Sequence, residues 1–143
     1  MARVTEKIDL DVPVERAYAR WTRLESLPEF LDFVDSVTKI DDTRSHWKVS
    51  IRGVEREFDA VMEQRPNESI AWTSVGGDET HAGMVTFDAL SDASCRVTVR
   101  LDWAAEGLLE KTGAIFGVDD HVVKKDLRKF KDMMEGRASG VTD

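Results

Sequence analysis

The chain has 143 residues, of which 41% are hydrophobic and 34% are charged, so it is long enough to bury a core and too apolar to remain disordered. Its formal net charge of −8 argues against nucleic-acid binding, because a phosphate backbone requires a basic surface. Cys95 is the only cysteine, which excludes a disulfide within the chain and a thiolate zinc cluster.

The N-terminal third predicts one strand and two short helices. Apolar and polar residues alternate over residues 4–12, which indicates a half-buried strand. Pro13 ends this strand and suits the first turn of a helix. The apolar face of that helix carries Val14, Ala17, Tyr18 and Trp21. A second helix is predicted from Ser26 and Glu29, which have the spacing of a capping box. Its buried side would consist of Leu27, Phe30, Leu31 and Val34.

The middle of the chain, residues 46–103, predicts a run of strands separated by short polar turns. Turns this close together indicate consecutive antiparallel hairpins. The apolar positions of these strands are, in chain order, Trp47, Val49 and Ile51; Phe58, Ala60 and Met62; Trp72; Val85 and Phe87; and Cys95, Val97, Val99, Leu101 and Trp103.

The C-terminal part predicts a long helix. Apolar residues recur at spacings of three and four from Leu108 to Met134. Gly113 and Gly117 interrupt the pattern and each costs about 1 kcal/mol relative to alanine, so they mark a bend, a break or a close approach to the sheet. Gly136 is expected to end the helix. We therefore expect a single domain over residues 1–136 and a flexible tail over residues 137–143.

Several short segments carry a family resemblance that spans roughly residues 3–135. They are DVPVERAY at 11–18, LPEF at 27–30, IAWTS at 70–74, GMVTF at 83–87, RVTV at 96–99, EGLLEK at 106–111 and DLRKFK at 126–131. Together with the order of elements, they resemble the START-like, helix-grip (SRPBCC) superfamily, and within it the bacterial polyketide cyclase/dehydrase and lipid-transport group. The resemblance implies an α+β fold: a curved antiparallel sheet wraps a long C-terminal helix, with two short helices between the first and second strands.

The same resemblance implies an apolar cavity between the concave sheet and the last helix, which in relatives holds lipids, sterols, quinones or polyketides. Such a cavity would be lined by apolar side chains with few polar groups. In the alternative arrangement, the same side chains pack against each other and leave no cavity. The predicted ligand-binding residues are Phe30, Phe33, Phe58, Met62, Trp72, Val85, Phe87, Val99, Leu101, Trp103, Ile115, Phe116, Val122 and Val123.

Two titratable residues are candidates for chemistry. His81 follows a glycine-rich turn at a strand entrance, so it is either a base at the cavity mouth or an exposed turn residue. Asp126 lies near the apolar stripe of the last helix, where it either faces the cavity with a raised pKa or pairs with Lys124, Lys125 or Arg128.

The other polar residues favour ordinary structural roles. We expect Asp119 to be ion-paired, His121 to form an exposed link on the last helix, His46 to be solvated and Cys95 to lie in the core. No two histidines have the spacing of metal ligands on a helix, so neither a metal nor a cofactor is expected.

The leading functional prediction is a non-catalytic carrier or sensor of an apolar small molecule, because no convergent catalytic set is evident. The alternatives are a polyketide cyclase/dehydratase-type (aromatase-like) enzyme, with His81 and Asp126 as catalytic candidates, and a protein-interaction module. The absence of a signal peptide or an apolar segment of about 20 residues favours a cytoplasmic location. A basic cluster on the last helix either contacts an anionic membrane or, as we expect, is a solvated face. It consists of Lys124, Lys125, Arg128, Lys129 and Lys131.

Overall fold

A computed structural model describes residues 2–51, 54–75, 79–105 and 120–136 of the chain. Its elements are strand β1 (Ala2–Leu10), helix α1 (Val14–Thr22), a 3-10 helix (Leu24–Glu29), strands β2 (Val34–Lys39), β3 (Arg44–Ile51), β4 (Val54–Arg65), β5 (Ser69–Val75), β6 (Glu79–Ser91) and β7 (Ser94–Ala105), and helix α2 (Asp120–Glu135). A strand, two short helices, a series of strands and a terminal helix follow one another as predicted.

The seven strands form one curled antiparallel sheet in the order β1-β7-β6-β5-β4-β3-β2. From β2 to β7 every strand pairs with the next one along the chain. For β3 to β7 this confirms the predicted succession of hairpins. Strand β1 pairs with β7, where Ile8 lies opposite Val97. Helix α2 packs beside β1, and α1 contacts β6 and β7. The α+β helix-grip fold predicted from the sequence is therefore confirmed.

The second short helix differs from its prediction in type and capping. It is a 3-10 helix, and Ser26 and Glu29 do not form a capping box. The Ser26 hydroxyl donates to the carbonyl of Arg23 at 2.8 Å, and the Glu29 carboxylate accepts from Arg20 Nη2 at 2.5 Å. Val34, which we assigned to this helix, is the first residue of β2. The capping prediction was wrong because these side chains find other partners.

Strand β2, at the edge of the sheet, had no counterpart in the prediction. Its buried residues Val34 and Val37 are three positions apart, which is a helical spacing. A register shift between Val34 and Ser36 breaks the alternation of this strand against β3. The irregularity hides the period of two by which a strand is recognised.

The core lies between the concave face of the sheet and the helices. On α2 the buried stripe is Val123, Leu127, Phe130 and Met134, which confirms the predicted periodicity over residues 120–135. On α1, Val14, Ala17 and Trp21 are buried, as predicted. Gly136 ends α2 with φ at +76°, a conformation that favours glycine.

Some expectations concern residues that lie outside the described ranges. They are the glycine positions Gly113 and Gly117, the ion pair of Asp119 and the tail 137–143. Within the ranges that the structure describes, no helix is long and apolar enough to cross a membrane.

Candidate functional site

An internal cavity lies where α1, α2 and the segment after the 3-10 helix meet the sheet. It is lined by Trp21, Leu31, Phe33, Trp72, Val99, Leu101, Val123, Asp126 and Leu127. The space open to the centre of a water-sized sphere is about 10 Å³, which is room for roughly one water molecule. A larger occupant therefore requires the walls of this cavity to move apart.

The structure brings part of the predicted ligand-binding set to this cavity. Phe33, Trp72, Val99, Leu101 and Val123 line it. The predicted residues that are buried in the core without lining it are Phe30, Phe58, Met62, Val85 and Phe87. Val122 is half-buried at the edge of the core. The backbone of Trp103 pairs with that of His81 in the sheet, while Ile115, Phe116 and the side chain of Trp103 lie outside the described part of the chain.

Three apolar cavity residues were absent from the predicted ligand-binding set: Trp21, Leu31 and Leu127. All three stand at positions that the sequence predicted as apolar helix faces. Periodicity identifies a buried face, but it does not distinguish a residue that fills the core from one that borders a cavity.

Aromatic side chains fill the concave face on one side of the cavity. The Trp47 ring stacks on Phe58 at a centroid distance of 6.0 Å and on Trp72 at 5.4 Å. Trp47 Nε1 donates to the hydroxyl of Ser45 at 2.7 Å. Phe58 and Trp47 thus pack against each other, and Trp72 joins this cluster to the cavity.

Gly83 creates the space that the Trp72 ring occupies. It lies directly opposite Trp72 in the β5–β6 pairing, and a Cβ atom placed on Gly83 would overlap the indole ring. A glycine in a strand interior often marks such a close approach. The position of the Trp72 ring in the cavity wall therefore depends on residue 83 being a glycine, which has no side chain.

His81 is part of the core, which contradicts both arrangements considered from the sequence. The side chain is 1% exposed on the inner face of β6, because the strand begins two residues earlier than His81. Its Nε2 accepts from Trp72 Nε1 at 2.9 Å and its Nδ1 lies 3.1 Å from the carbonyl oxygen of Asp102. These partners require a neutral ring that carries its proton on Nδ1. Burial lowers its pKa to about 4.

Asp126 lies on the buried stripe of α2 and borders the cavity. Its side chain is 1% exposed, and Oδ2 accepts from the backbone N–H of Asp32 at 3.1 Å. Burial, reinforced by the nearby charge of Asp32, raises the pKa of Asp126 to about 7. The cations paired in the structure, Lys129 at 2.6 Å and Lys125 at 3.5 Å, contact the Asp32 carboxylate instead. The sequence left open whether Asp126 faces the cavity or pairs with a cation of the last helix. In the structure it borders the cavity.

Two of the residues that line this cavity each carry a buried polar atom without a hydrogen-bond partner among the residues that the structure describes. They are Nε1 of Trp21 and Oδ1 of Asp126. Both residues line the cavity, and Trp21 is only 2% exposed. Most buried polar atoms in proteins form a hydrogen bond. Two buried atoms without one, on residues that line the same cavity, therefore distinguish this site from the rest of the core.

Away from the cavity, the polar residues have structural roles. His46 is not simply solvated, because its ring contacts Asp59 at 2.6 Å and Glu57 at 2.9 Å, and these contacts raise its pKa. Cys95 is fully buried, as predicted. His121 is exposed. Within the described ranges, no group of three His, Cys, Asp or Glu side chains is arranged to hold a metal ion.

The basic cluster of α2 is only partly solvated. Lys124, Lys125 and Arg128 are exposed. Lys129 binds Asp32, and Lys131 Nζ donates to Glu135 at 2.8 Å. The Lys129–Asp32 pair connects the cluster to the rest of the fold, whereas the Lys131–Glu135 pair lies within α2.

Comparisons with known proteins show the family to which this chain belongs. The profile of the family described as polyketide cyclase/dehydrase and lipid transport matches residues 10–132. An uncharacterized 17.2 kDa protein from the melC2-rnhH intergenic region of Streptomyces lincolnensis is 41% identical over 138 residues, which cover 96% of this chain and 92% of that protein.

Solved structures share the fold of this chain. A crystal structure from Deinococcus radiodurans is similar with a TM-score of 0.79 and 26% identity, covering 94% of this chain and 98% of the other. The Zhui aromatase/cyclase of a Streptomyces species has the same fold, with a TM-score of 0.67, 10% identity and coverage of 97% and 88%. The chain therefore belongs to the polyketide cyclase/dehydrase and lipid-transport family.

Proposed function

We propose that this chain binds an apolar small molecule, such as a lipid, quinone or polyketide-like compound, between its sheet and helix α2. The observation that carries the proposal is the cavity, whose wall surface is apolar although Trp21 and Asp126 are among the residues that line it. Such a composition suits a ligand with a large apolar surface and few polar groups. The family description, which includes lipid transport, supports the same proposal.

The size of the cavity defines what binding would involve. Because the space holds about one water molecule, a ligand must displace α2 or the segment around Leu31 and Phe33 from the sheet. Contacts that close this side of the cavity include the Asp126–Asp32 hydrogen bond, and the Asp32–Lys129 ion pair lies beside it. We expect ligand uptake to weaken these contacts.

Native mass spectrometry of the purified chain, followed by organic extraction, tests the proposal. We expect a stoichiometric apolar adduct, or binding to a panel of fatty acids, sterols, quinones and aromatic polyketides. Val123→Phe, which places a larger side chain in the cavity, should abolish the adduct, whereas Lys124→Phe on the exposed face of α2 should retain it. Circular dichroism would verify that both variants fold. An empty chain that binds none of the panel and instead captures a protein partner would contradict the proposal.

A cyclase or dehydratase activity is a second candidate, favoured by Asp126. A carboxyl group with a pKa of about 7 is partly protonated at neutral pH, so it can donate a proton to a substrate in the cavity. Incubation with a poly-β-keto thioester and product analysis test this candidate. Cyclised product from the native chain, lost in Asp126→Asn and retained in His81→Gln when that variant folds, would support it. Unchanged product formation in Asp126→Asn would contradict it.

A further inference from the structure

The indole groups of three buried tryptophans differ in how their N–H groups are satisfied. Trp47 donates to Ser45 Oγ at 2.7 Å, and Trp72 donates to His81 Nε2 at 2.9 Å. Trp21 has no acceptor among the described residues, although it is 2% exposed. Its ring is held edge-on between Phe30 at 5.1 Å and Phe130 at 5.7 Å. These contacts fix the ring but offer no strong acceptor.

Asp126 carries the second buried polar atom that lacks a partner among the described residues. Its Oδ2 is bonded to the Asp32 N–H, while Oδ1 is buried and has no partner within the described ranges. Asp126 and Trp21 come from different helices and border the same cavity. A buried polar atom without a partner costs free energy, which a bound group that supplies the hydrogen bond would recover.

The chemistry of the two atoms determines which ligand group suits them. An indole N–H can only donate a hydrogen bond. The carboxyl group accepts at Oδ1 when ionised and can donate there when protonated. A hydroxyl oxygen accepts from the indole, and it bonds to Oδ1 in either state because it can both donate and accept. A hydrocarbon satisfies neither atom, and a carbonyl oxygen satisfies Oδ1 only in the protonated form.

We propose that Trp21 and Asp126 form a hydrogen-bonding site for one hydroxyl group of the ligand, so that the chain selects apolar alcohols or phenols over the corresponding hydrocarbons. This inference rests on the proposed function and names the ligand class for the same cavity. The surrounding walls, including Leu31, Val99 and Leu101, are apolar, so the remainder of the ligand has to be apolar as well.

Matched probes test the selection on the full chain. Dissociation constants for 2-naphthol and naphthalene, and for phenol and benzene, are measured at pH 7 by ligand-observed NMR. We expect each hydroxyl compound to bind at least about tenfold more tightly than its hydrocarbon, as one to two net hydrogen bonds imply. In a ¹H–¹⁵N spectrum the indole N–H resonance of Trp21, identified by its loss in Trp21→Phe, should shift with 2-naphthol and remain in place with naphthalene.

Three variants separate the polar site from the apolar walls. Trp21→Phe and Asp126→Leu should each reduce the preference for the hydroxyl compound several-fold while naphthalene still binds. Leu101→Ala is the matched control, because Leu101 lines the same cavity and its side chain has no polar atom. It should change the affinity for both probes alike and leave their ratio unaltered.

The possible outcomes distinguish this inference from the function on which it rests. Equal affinities within each probe pair, with no shift of the Trp21 resonance, would overturn the hydroxyl site and leave apolar binding intact. A chain that binds neither member of any pair would overturn both. A ratio that survives Trp21→Phe and Asp126→Leu in the folded state would show that another group selects the hydroxyl.

Discussion

Single residues on the inner face decide the shape of the cavity, and Gly83 shows how. Replacement by alanine would place a Cβ atom within the Trp72 ring, so the ring would have to move. We expect Gly83→Ala to reduce the free energy of unfolding by about 1–3 kcal/mol, as overpacking of a core does. Urea denaturation measures the loss, and near-ultraviolet circular dichroism reports the displaced tryptophan.

Ala82→Ser is the control for this substitution, because residue 82 is half-buried on the opposite face of β6. Its stability should stay within about 0.5 kcal/mol of the native chain. A Gly83→Ala variant with native stability and an unchanged aromatic spectrum would contradict the packing of Trp72 against residue 83.

The protonation of Asp126 makes stability depend on pH in a definite direction. Its pKa is about 7 in the folded chain and lies near the ordinary 3.8 after unfolding. Between these values the folded chain retains a proton that the unfolded chain releases. The contribution of Asp126 to stability is therefore complete below about pH 4 and is lost as the pH rises through about 7.

Asp126→Asn removes this dependence and isolates it from the other carboxylates. The stability of the native chain relative to this variant should fall by about 2–3 kcal/mol between pH 5 and pH 8, since each pKa unit corresponds to about 1.4 kcal/mol. Urea unfolding of both proteins at the two pH values measures the difference. The same difference at both values would contradict a raised pKa.

At the scale of elements, helix α2 is attached by aromatic packing to α1 and to Phe30, the residue after the 3-10 helix. Phe130 is fully buried, with its ring 4.8 Å from that of Phe30 and 5.7 Å from that of Trp21. We expect Phe130→Ala to reduce the free energy of unfolding by about 3–5 kcal/mol, because a cavity replaces the ring. Chemical denaturation measures this loss.

A second substitution on the same helix provides the comparison. Arg128 is exposed, and Arg128→Ala should change stability by no more than about 0.5 kcal/mol. If Phe130→Ala cost less than about 1 kcal/mol, helix α2 would not depend on this aromatic contact.

The elements also show where local pattern was sufficient and where it failed. Helices α1 and α2 and strands β3 to β7 follow from periodicity, since each has one buried face. Strand β2 and the 3-10 helix do not follow from periodicity. In β2 the register shift at Val34 to Ser36 breaks the alternation of buried and exposed residues. In the 3-10 helix, the Ser26 side chain bonds to the carbonyl of Arg23 and the Glu29 side chain bonds to Arg20. A capping motif, which is defined by residue spacing alone, does not take these competing partners into account.

At the scale of the whole molecule, the two ends of the fold are joined by Glu135. Its Oε2 accepts from the backbone N–H of Asp11 at 2.7 Å and from Lys131 Nζ at 2.8 Å. The side chain is only 3% exposed. The segment after β1 and the last turn of α2, 124 residues apart in sequence, therefore meet through one carboxylate.

Glu135→Ala should destabilise the chain by about 1–3 kcal/mol, because the donors that it leaves behind lose their acceptor. Glu135→Gln retains an amide oxygen at the same place and should recover part of the loss. Asp132→Ala, on the same helix, is the control and should have a small effect. Urea denaturation compares the three variants, and a Glu135→Ala chain as stable as the control would contradict this connection.

The sequence by itself determined the order of the elements other than β2, the antiparallel hairpins from β3 to β7, the family and the burial of Cys95. These properties depend on local periodicity, on turn spacing and on motifs that are readable along the chain. It also placed Asp126 next to the apolar stripe of the last helix, because a helical period of 3.6 aligns residues 123, 126, 127 and 130.

The tertiary structure decided which side chains border the cavity and how their polar atoms are satisfied. Asp126 meets the backbone of Asp32 across 94 residues, and His81 meets the carbonyl of Asp102 across 21. Whether a polar group is solvated, paired or buried without a partner depends on what other elements bring to it. Contacts between elements therefore determined the burial of His81, the protonation of Asp126 and the lack of an acceptor for the Trp21 indole among the described residues.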